Sequence, residues 1–238
     1  MTMENNMSQT PAPCWYGKLP SGGDFLKRRF PEALLQQWSN WFQVGLLHRQ
    51  ESERQDERQF ADAPVWNFVV PPMLGSQQIQ MGCLLPSRDN VGRLYPLCAL
   101  VTFTPSHWTQ QQLATAGDWY QRLGRILLTT VREAWSAAEL DQALLSLPLP
   151  PVAQPKQSEI LEVIGYQERP STLSWRRVSD SFDPQHYTSF WWTNQADGNP
   201  LYTHVHSGNF TGQLFAMLFD PGAGAKPGRH GLYPPMFE

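Results

Sequence analysis

A chain of 238 residues with 41% hydrophobic and 16% charged residues has the composition of a globular domain with a large core, not of a disordered one. A net charge of −3 and a pI near 6.1 leave no clustered basic surface for a phosphate backbone, so nucleic acid is not expected as a partner. No stretch approaches the roughly 18 consecutive apolar residues that a membrane span requires, and three cysteines without a C-x-x-C pair fit a reducing, cytoplasmic compartment.

Residues 1–13 are polar, without the basic start and apolar run of a signal peptide, and are expected to form a disordered lead-in. Cys14 to Pro20 reads as a short strand, Ser21 to Asp24 as a turn, and Phe25-Leu26 as the return. Pro31 suits the first turn of a helix, and Leu34, Trp38, Trp41, Phe42 and Gly45 then fall on one helical face. The interleaved charges of Arg49–Asp62 suggest a solvated helix end or loop.

Three short apolar runs follow, Val65–Val70, Ile79–Leu85 and Leu94–Phe103, each bounded by Pro or Gly and each expected to be a strand. The turn-rich segment Pro86–Arg93 joins the last two, which predicts antiparallel pairing. Asp118 to Trp135 keeps the 3.6-residue period through Trp119, Leu123, Ile126, Leu127, Thr130, Val131 and Ala134, with Asp118 as the expected N-cap. Trp38, Leu123, Leu127 and Val131 are expected in the core. Ser136 and Glu139 form a capping box for a short helix that Pro148–Pro151 ends. Strand-like pieces return at Thr172–Val178, Ser189–Thr193 and Leu201–His206, and Gln213–Phe219 reads as a last apolar helix.

The expected fold is therefore α/β of the α+β type, a mostly antiparallel central sheet flanked by helices, in one domain over residues 14–219. A break into subdomains, if there is one, falls near 148–158, and residues 220–238 read as a Pro/Gly-rich tail.

Most chemistry fails on spacing. The chain has no P-loop, no G-x-S-x-G elbow and no H-E-x-x-H. Gly222-Ala223-Gly224 follows a proline and its third glycine, Gly228, comes one residue late for a dinucleotide loop. His204 and His206 share a strand face, but Asp183 and His186 stand at no recognisable ligand spacing from them, so neither a metal nor a cofactor is expected. A hairpin around Pro86–Arg93 would bring Cys83 and Cys98 near one another, as buried small apolar side chains.

Two segments are unusual for pure scaffold: Gly17–Phe25 and Pro86–Leu97. Each mixes turn-forming residues with opposite charges, which pairs Lys18 with Asp24 and Asp89 with Arg93 in sequence. Asp24 with Arg93 is a further pairing. They either lock one end of the sheet through charged hydrogen bonds or form a recognition surface on a rigid scaffold.

The same segments carry a family resemblance. Gly17-Lys18-Leu19-Pro20-Ser21 through Gly23-Asp24-Phe25, then Ala63-Pro64-Val65-Trp66-Asn67-Phe68, then Pro86-Ser87, Asp89, Val91-Gly92-Arg93 and Tyr95-Pro96-Leu97 resemble, in order, three blocks of the TagF family of type VI secretion accessory proteins. The chain departs from those blocks at Gly22, where an arginine is usual, and at Arg88, Asn90 and Tyr95. The resemblance covers residues 14–140 and thins beyond Pro148. It implies a non-enzymatic, post-translational regulator, usually a repressor, that binds the forkhead-associated scaffold protein of the secretion system in the cytoplasm. Lys18, Ser21, Asp24, Arg88, Asp89 and Arg93 are the candidate partner-binding residues. The alternative is a small hydrolase-like enzyme using Asp24, Asp89 or His204 with His206.

Overall fold

Aromatic and β-branched residues favour a pleated, extended backbone when both faces can be covered, and the three central apolar runs become neighbouring strands. A computed structural model describes residues 12–51, 60–73, 76–150, 173, 175–193, 202–220, 226–228 and 231–233. The strands are β1 (Cys14–Gly17), β2 (Leu26–Arg28), β3 (Trp66–Val70), β4 (Ile79–Leu85), β5 (Leu97–Phe103), β6 (Thr188–Thr193) and β7 (Thr203–Ser207). The helices are α1 (Glu32–Glu51), α2 (Gln110–Ala114), α3 (Gly117–Arg132), α4 (Ala137–Leu145), α5 (Arg177–Ser181) and α6 (Gly212–Phe219).

The seven strands form one sheet in the order β2-β1-β5-β4-β3-β6-β7, with every neighbouring pair antiparallel. This is the α+β architecture expected from the sequence. Strands β4 and β5 pair from Ile79–Phe103 to Leu85–Leu97, across the turn-rich loop. Strand β5 begins at Leu97 and not at Leu94, because Leu94 bridges back to Arg88 within the loop and Pro96 has no N–H to give to a ladder.

The period of two decides which side chain meets which helix. Trp66, Phe68, Val70, Leu84, Leu100 and Trp191 join Trp38, Trp41 and Phe42 of α1 and Phe215 and Phe219 of α6 in one core layer. Val69, Met81, Leu85, Ala99, Val101 and Trp192 join Trp119, Tyr120, Leu123 and Leu127 of α3 and Leu140 and Leu144 of α4 in the other. Both faces are covered, so the strands read as continuous apolar runs instead of alternating ones. The adjacent Trp191 and Trp192 point to opposite faces, and both are fully buried.

In the α1 layer the indoles are also fastened by their N–H groups. Trp38 donates to the Gln80 side chain at 2.7 Å, Trp41 to the Thr211 carbonyl at 2.8 Å, and Trp66 to the Leu218 carbonyl at 2.7 Å. Gly45 lets α1 approach α6: a Cβ there would overlap the Phe215 ring.

Three expectations need correction: the burial of Val131, the cap of α3 and the strand ending at Val178. Val131 is only partly buried at the edge of its layer. Asp118 lies within the first turn of α3, after its cap residue Ala116, where a carboxylate still complements the helix dipole. Trp175, Val178 and Phe182 recur at helical spacing and are all buried, so Arg177–Ser181 is a helix and not the end of a strand; Thr172 and Ser174 lie outside the described residues. The capping box of α4 is formed, with Glu139 N–H donating to Ser136 Oγ at 3.3 Å and Ser136 N–H to Glu139 Oε2 at 2.8 Å. Within the expected tail, β8 (Lys226–Gly228) and β9 (Gly231–Tyr233) pair as a hairpin. The lead-in through residue 11, residues 52–59 of the charged stretch and the 151–158 part of the subdomain break lie outside the described residues. No helix among the described residues is long and apolar enough to cross a membrane.

Two substitutions test this packing. Leu127→Ala should cost about 2–5 kcal/mol by leaving a cavity between α3 and the sheet. Gly45→Val should lower the Tm further than Val44→Ala, its exposed neighbour. Urea denaturation and thermal melts read both, and an unchanged midpoint for Leu127→Ala would remove α3 from the core.

Candidate functional site

Strand order brings the two unusual loops together. Strand β5 lies between β1 and β4, and Leu97 at its start pairs with both Gly17 and Leu85, so residues 18–25 and 86–96 leave the same end of the sheet. Gly17 has φ 150°, and a Cβ there would overlap the Pro96 carbonyl. Only glycine lets the two backbones approach so closely.

Asp89 joins the loops. It is 2% exposed, and each carboxylate oxygen accepts two hydrogen bonds. Oδ1 accepts from the backbone N–H groups of Val91 at 3.1 Å and Arg93 at 2.9 Å. Oδ2 accepts from Lys18 Nζ and Arg93 Nε, both at 2.7 Å. Three more bonds cross between the loops: Ser87 Oγ to the Lys18 carbonyl at 2.8 Å, Asn90 N–H to the Gly22 carbonyl at 2.9 Å, and Arg93 Nη2 to the Gly23 carbonyl at 3.0 Å. Burial alone would push the Asp89 carboxyl up; the Lys18 ammonium, the backbone N–H of Arg93, its guanidinium and the Val91 N–H outweigh it and hold the group well below the usual carboxylate range.

The six residues singled out in sequence therefore divide. Lys18 and Asp89 are buried and committed to one another. The expected Asp89–Arg93 pair is present, with the Arg93 side chain still 64% exposed. The pairing of Lys18 with Asp24 is not, nor is one between Asp24 and Arg93: Asp24 is exposed and has no ion pair among the described residues. Lys18 lies at the floor of the loops, within reach of the buried carboxylate and not of the solvent-facing one. Arg88 is exposed without a carboxylate partner among the described residues. Ser21 donates to the Trp135 carbonyl at 2.7 Å, which fastens the first loop to the end of α3.

Two apolar residues of this end escape sequence reasoning. Phe25 is 53% exposed and Val91 70% exposed. Phe25 meets Tyr95 edge-on at 4.7 Å between centroids, and Lys18 Nζ lies 4.7 Å from its ring centre. A large apolar residue inside a Gly/Asp-rich turn was the available signal.

The groups proposed for hydrolytic chemistry do not converge. His204 is on β7, three strands from β4, a separation of roughly 14 Å across the sheet. It is buried 5.1 Å from Trp66, neither ring nitrogen has a hydrogen-bond partner, and burial pushes its pKa down from 6.5 to about 4. His206 Nε2 donates to the Asn209 carbonyl at 2.8 Å. Asp183 and His186 face each other at 3.6 Å, and among the described residues no group of three or more His, Cys, Asp or Glu is placed to hold a metal ion. Cys83 and Cys98 sit opposite Ala99 and Leu84 in the β4–β5 ladder and belong to different core layers, so the hairpin separates them by the thickness of the sheet. Burial pushes the Cys14 thiol up to about 12 and both others well above their ordinary value, which leaves no thiolate nucleophile at neutral pH.

These environments make two pH predictions. A carboxyl held below its unfolded pKa adds stability above about pH 4, and that stability is lost as pH falls through the folded value. The Tm gap between the wild type and Asp89→Asn should thus be widest at pH 7 and close in acid; a gap that stays constant would show that the Asp89 charge contributes nothing. His204 has the opposite charge type: its depressed pKa makes the wild type lose stability as pH falls from 6.5 toward 4. His204→Leu escapes this loss, by on the order of 3 kcal/mol, and equal pH profiles for the two proteins would place the ring in water.

Residues 14–147 match a family described as TagF N-terminal domain, type VI secretion system-associated. No curated protein sequence matches the chain. Its fold is similar to the crystal structure of PA0076 from Pseudomonas aeruginosa PAO1, with a TM-score of 0.66 and 22% identity over 92% of this chain and 99% of that one. Both loops and the Asp89 network fall inside the family match, which spans more than half of the sequence. The chain therefore belongs to the TagF family of proteins associated with type VI secretion.

Proposed function

We propose that the chain is a non-enzymatic regulator, a repressor of type VI secretion, that acts in the cytoplasm by occupying the forkhead-associated scaffold protein of the system. The observation that carries this reading is the pair of loops at one sheet end. They are held together by an ion network around a buried carboxylate, lie within the family match, and expose Phe25, Val91 and Arg88. Rigid loops on a packed scaffold lose little entropy on binding.

The hydrolase alternative would need Asp24, Asp89 and the histidines in one concave site. Asp89 instead has both oxygens engaged by four donors, and His204 is a buried neutral ring. The test is genetic and biochemical together. Deleting the gene in its own bacterium should raise export of type VI substrates into the medium, overproduction should lower it, and the purified chain should co-purify with the scaffold protein. Export that ignores both manipulations would refute a regulatory role.

A further inference from the structure

We infer that the two loops form a reading surface for an acidic protein segment that carries an apolar residue, with Phe25 and Val91 as its apolar half and Arg88 and Arg93 as its cationic half. This deepens the binding role proposed above by assigning the partner's chemistry, and it rests on that role.

Phe25 is neither buried nor loose. Tyr95 and the Lys18 ammonium hold it, while half of the side chain stays open. A pre-positioned aromatic of this kind is the usual anchor of an interface, because covering it gains apolar burial with few rotamers left to lose. Val91 stands at the tip of the neighbouring turn with its N–H tied to Asp89, so its exposed side chain is also on fixed backbone.

The cationic half is prepared in the same way. Asp89 and the Gly23 carbonyl take Arg93 Nε and Nη2 and set the plane of the guanidinium; Nη1 takes part in neither bond. Arg88 has no carboxylate to neutralise it among the described residues. Over the two loops, Lys18, Arg88 and Arg93 outnumber Asp24 and Asp89 by one charge, on a chain whose net charge is −3. On adjoining β2, Lys27 is paired with Glu32, whereas Arg28 is exposed, donates to the Lys27 carbonyl and interacts with Asp141 through charge alone. The two loops thus carry a small positive excess on a negatively charged chain, the complement of an acidic partner.

The excess is small, and that selects among anions. A phosphoryl group near neutral pH carries close to two charges and is held by clustered free cations. Lys18 is buried and spent on Asp89, which leaves side chains suited to single carboxylates.

The test uses the full chain, with thermal melts to confirm folding. Affinity for the scaffold protein should fall at least about tenfold for Arg88→Glu and for Phe25→Ala, and should weaken as salt rises from about 50 to 300 mM. Val44→Ser and Leu47→Ser, exposed apolar positions on α1, should bind as the wild type does. Arg93→Glu is avoided because it would face the buried Asp89. As a scaffold-independent probe, a synthetic peptide alternating glutamate and leucine should shift amide resonances of residues 18–25 and 86–95, and a lysine–leucine peptide should not.

Peptide shifts elsewhere or nowhere overturn the inference, as does wild-type affinity in Arg88→Glu and Phe25→Ala. Loss of binding after the scaffold protein is treated with phosphatase also overturns it, in favour of a phosphoryl group. Peptide shifts at the loops without any binding to the scaffold protein would uphold the surface and remove the proposed partner instead.

Discussion

A carboxylate out of water is unstable unless its lone pairs are filled and its charge is met. Asp89 satisfies both conditions by drawing on two loops far apart in sequence: Lys18 is 71 positions away. Each loop is thereby the other's hydrogen-bonding partner, in addition to the bonds that close the second loop on itself. The close approach of Gly17 to Pro96, set by the β1–β5 ladder, starts both loops side by side, and the Asp89 bonds continue the contact outward. The two cations bonded to Asp89 reach further: Arg93 to the Gly23 carbonyl and Lys18 to the Phe25 ring. The surface of the domain at this end follows from one ion in its interior.

The rest of the molecule supplies the frame. The sheet is packed on both sides, by α1 and α6 on one face and by α3 and α4 on the other. Large indoles fill both layers. On the α1 face their N–H groups find carbonyl or amide oxygens, while Trp119, Trp175 and Trp192 on the other face leave theirs unpartnered. The two faces therefore differ in degree: the α3 face has its own directed bonds, from Trp15 to Asp141 and from the Tyr120 hydroxyl to the Phe68 carbonyl, but three of its indoles rely on apolar contact. Central strands held in this way give the loops a fixed base.

That division of labour has a functional reading. Buried charges inside a loop are often taken for catalytic groups, yet here the carboxylate is saturated by donors and keeps its charge at any physiological pH. What it does in the fold is order its neighbours. The residues it presents, Arg93 directly and Phe25 through Lys18, are those that remain exposed. Such an arrangement suits the binding role proposed above, because groups already ordered in the free state lose little freedom in a complex.

Local pattern was enough for the elements whose reasons are local. The period of α3, the Ser136–Glu139 capping box, and the apolar runs of β3, β4 and β5 on either side of a turn-rich loop were all legible, as were the two loops themselves as motifs. Partner choice was not. Proximity in sequence pairs Lys18 with Asp24, and only the placement of β5 between β1 and β4 brings Asp89 over it instead. Burial was equally beyond reach, since a histidine on an edge strand reads as solvated until Trp66 is found against it. The helix at Arg177–Ser181 resembled the end of a strand because a short run of mixed polarity fits either period, and contact with the core layer selected the helical one. Periodicity and capping are written in neighbouring residues, so the sequence alone determined them; which charges meet and which apolar residues stay in water depend on segments brought together across the sheet, and only the tertiary structure decided those.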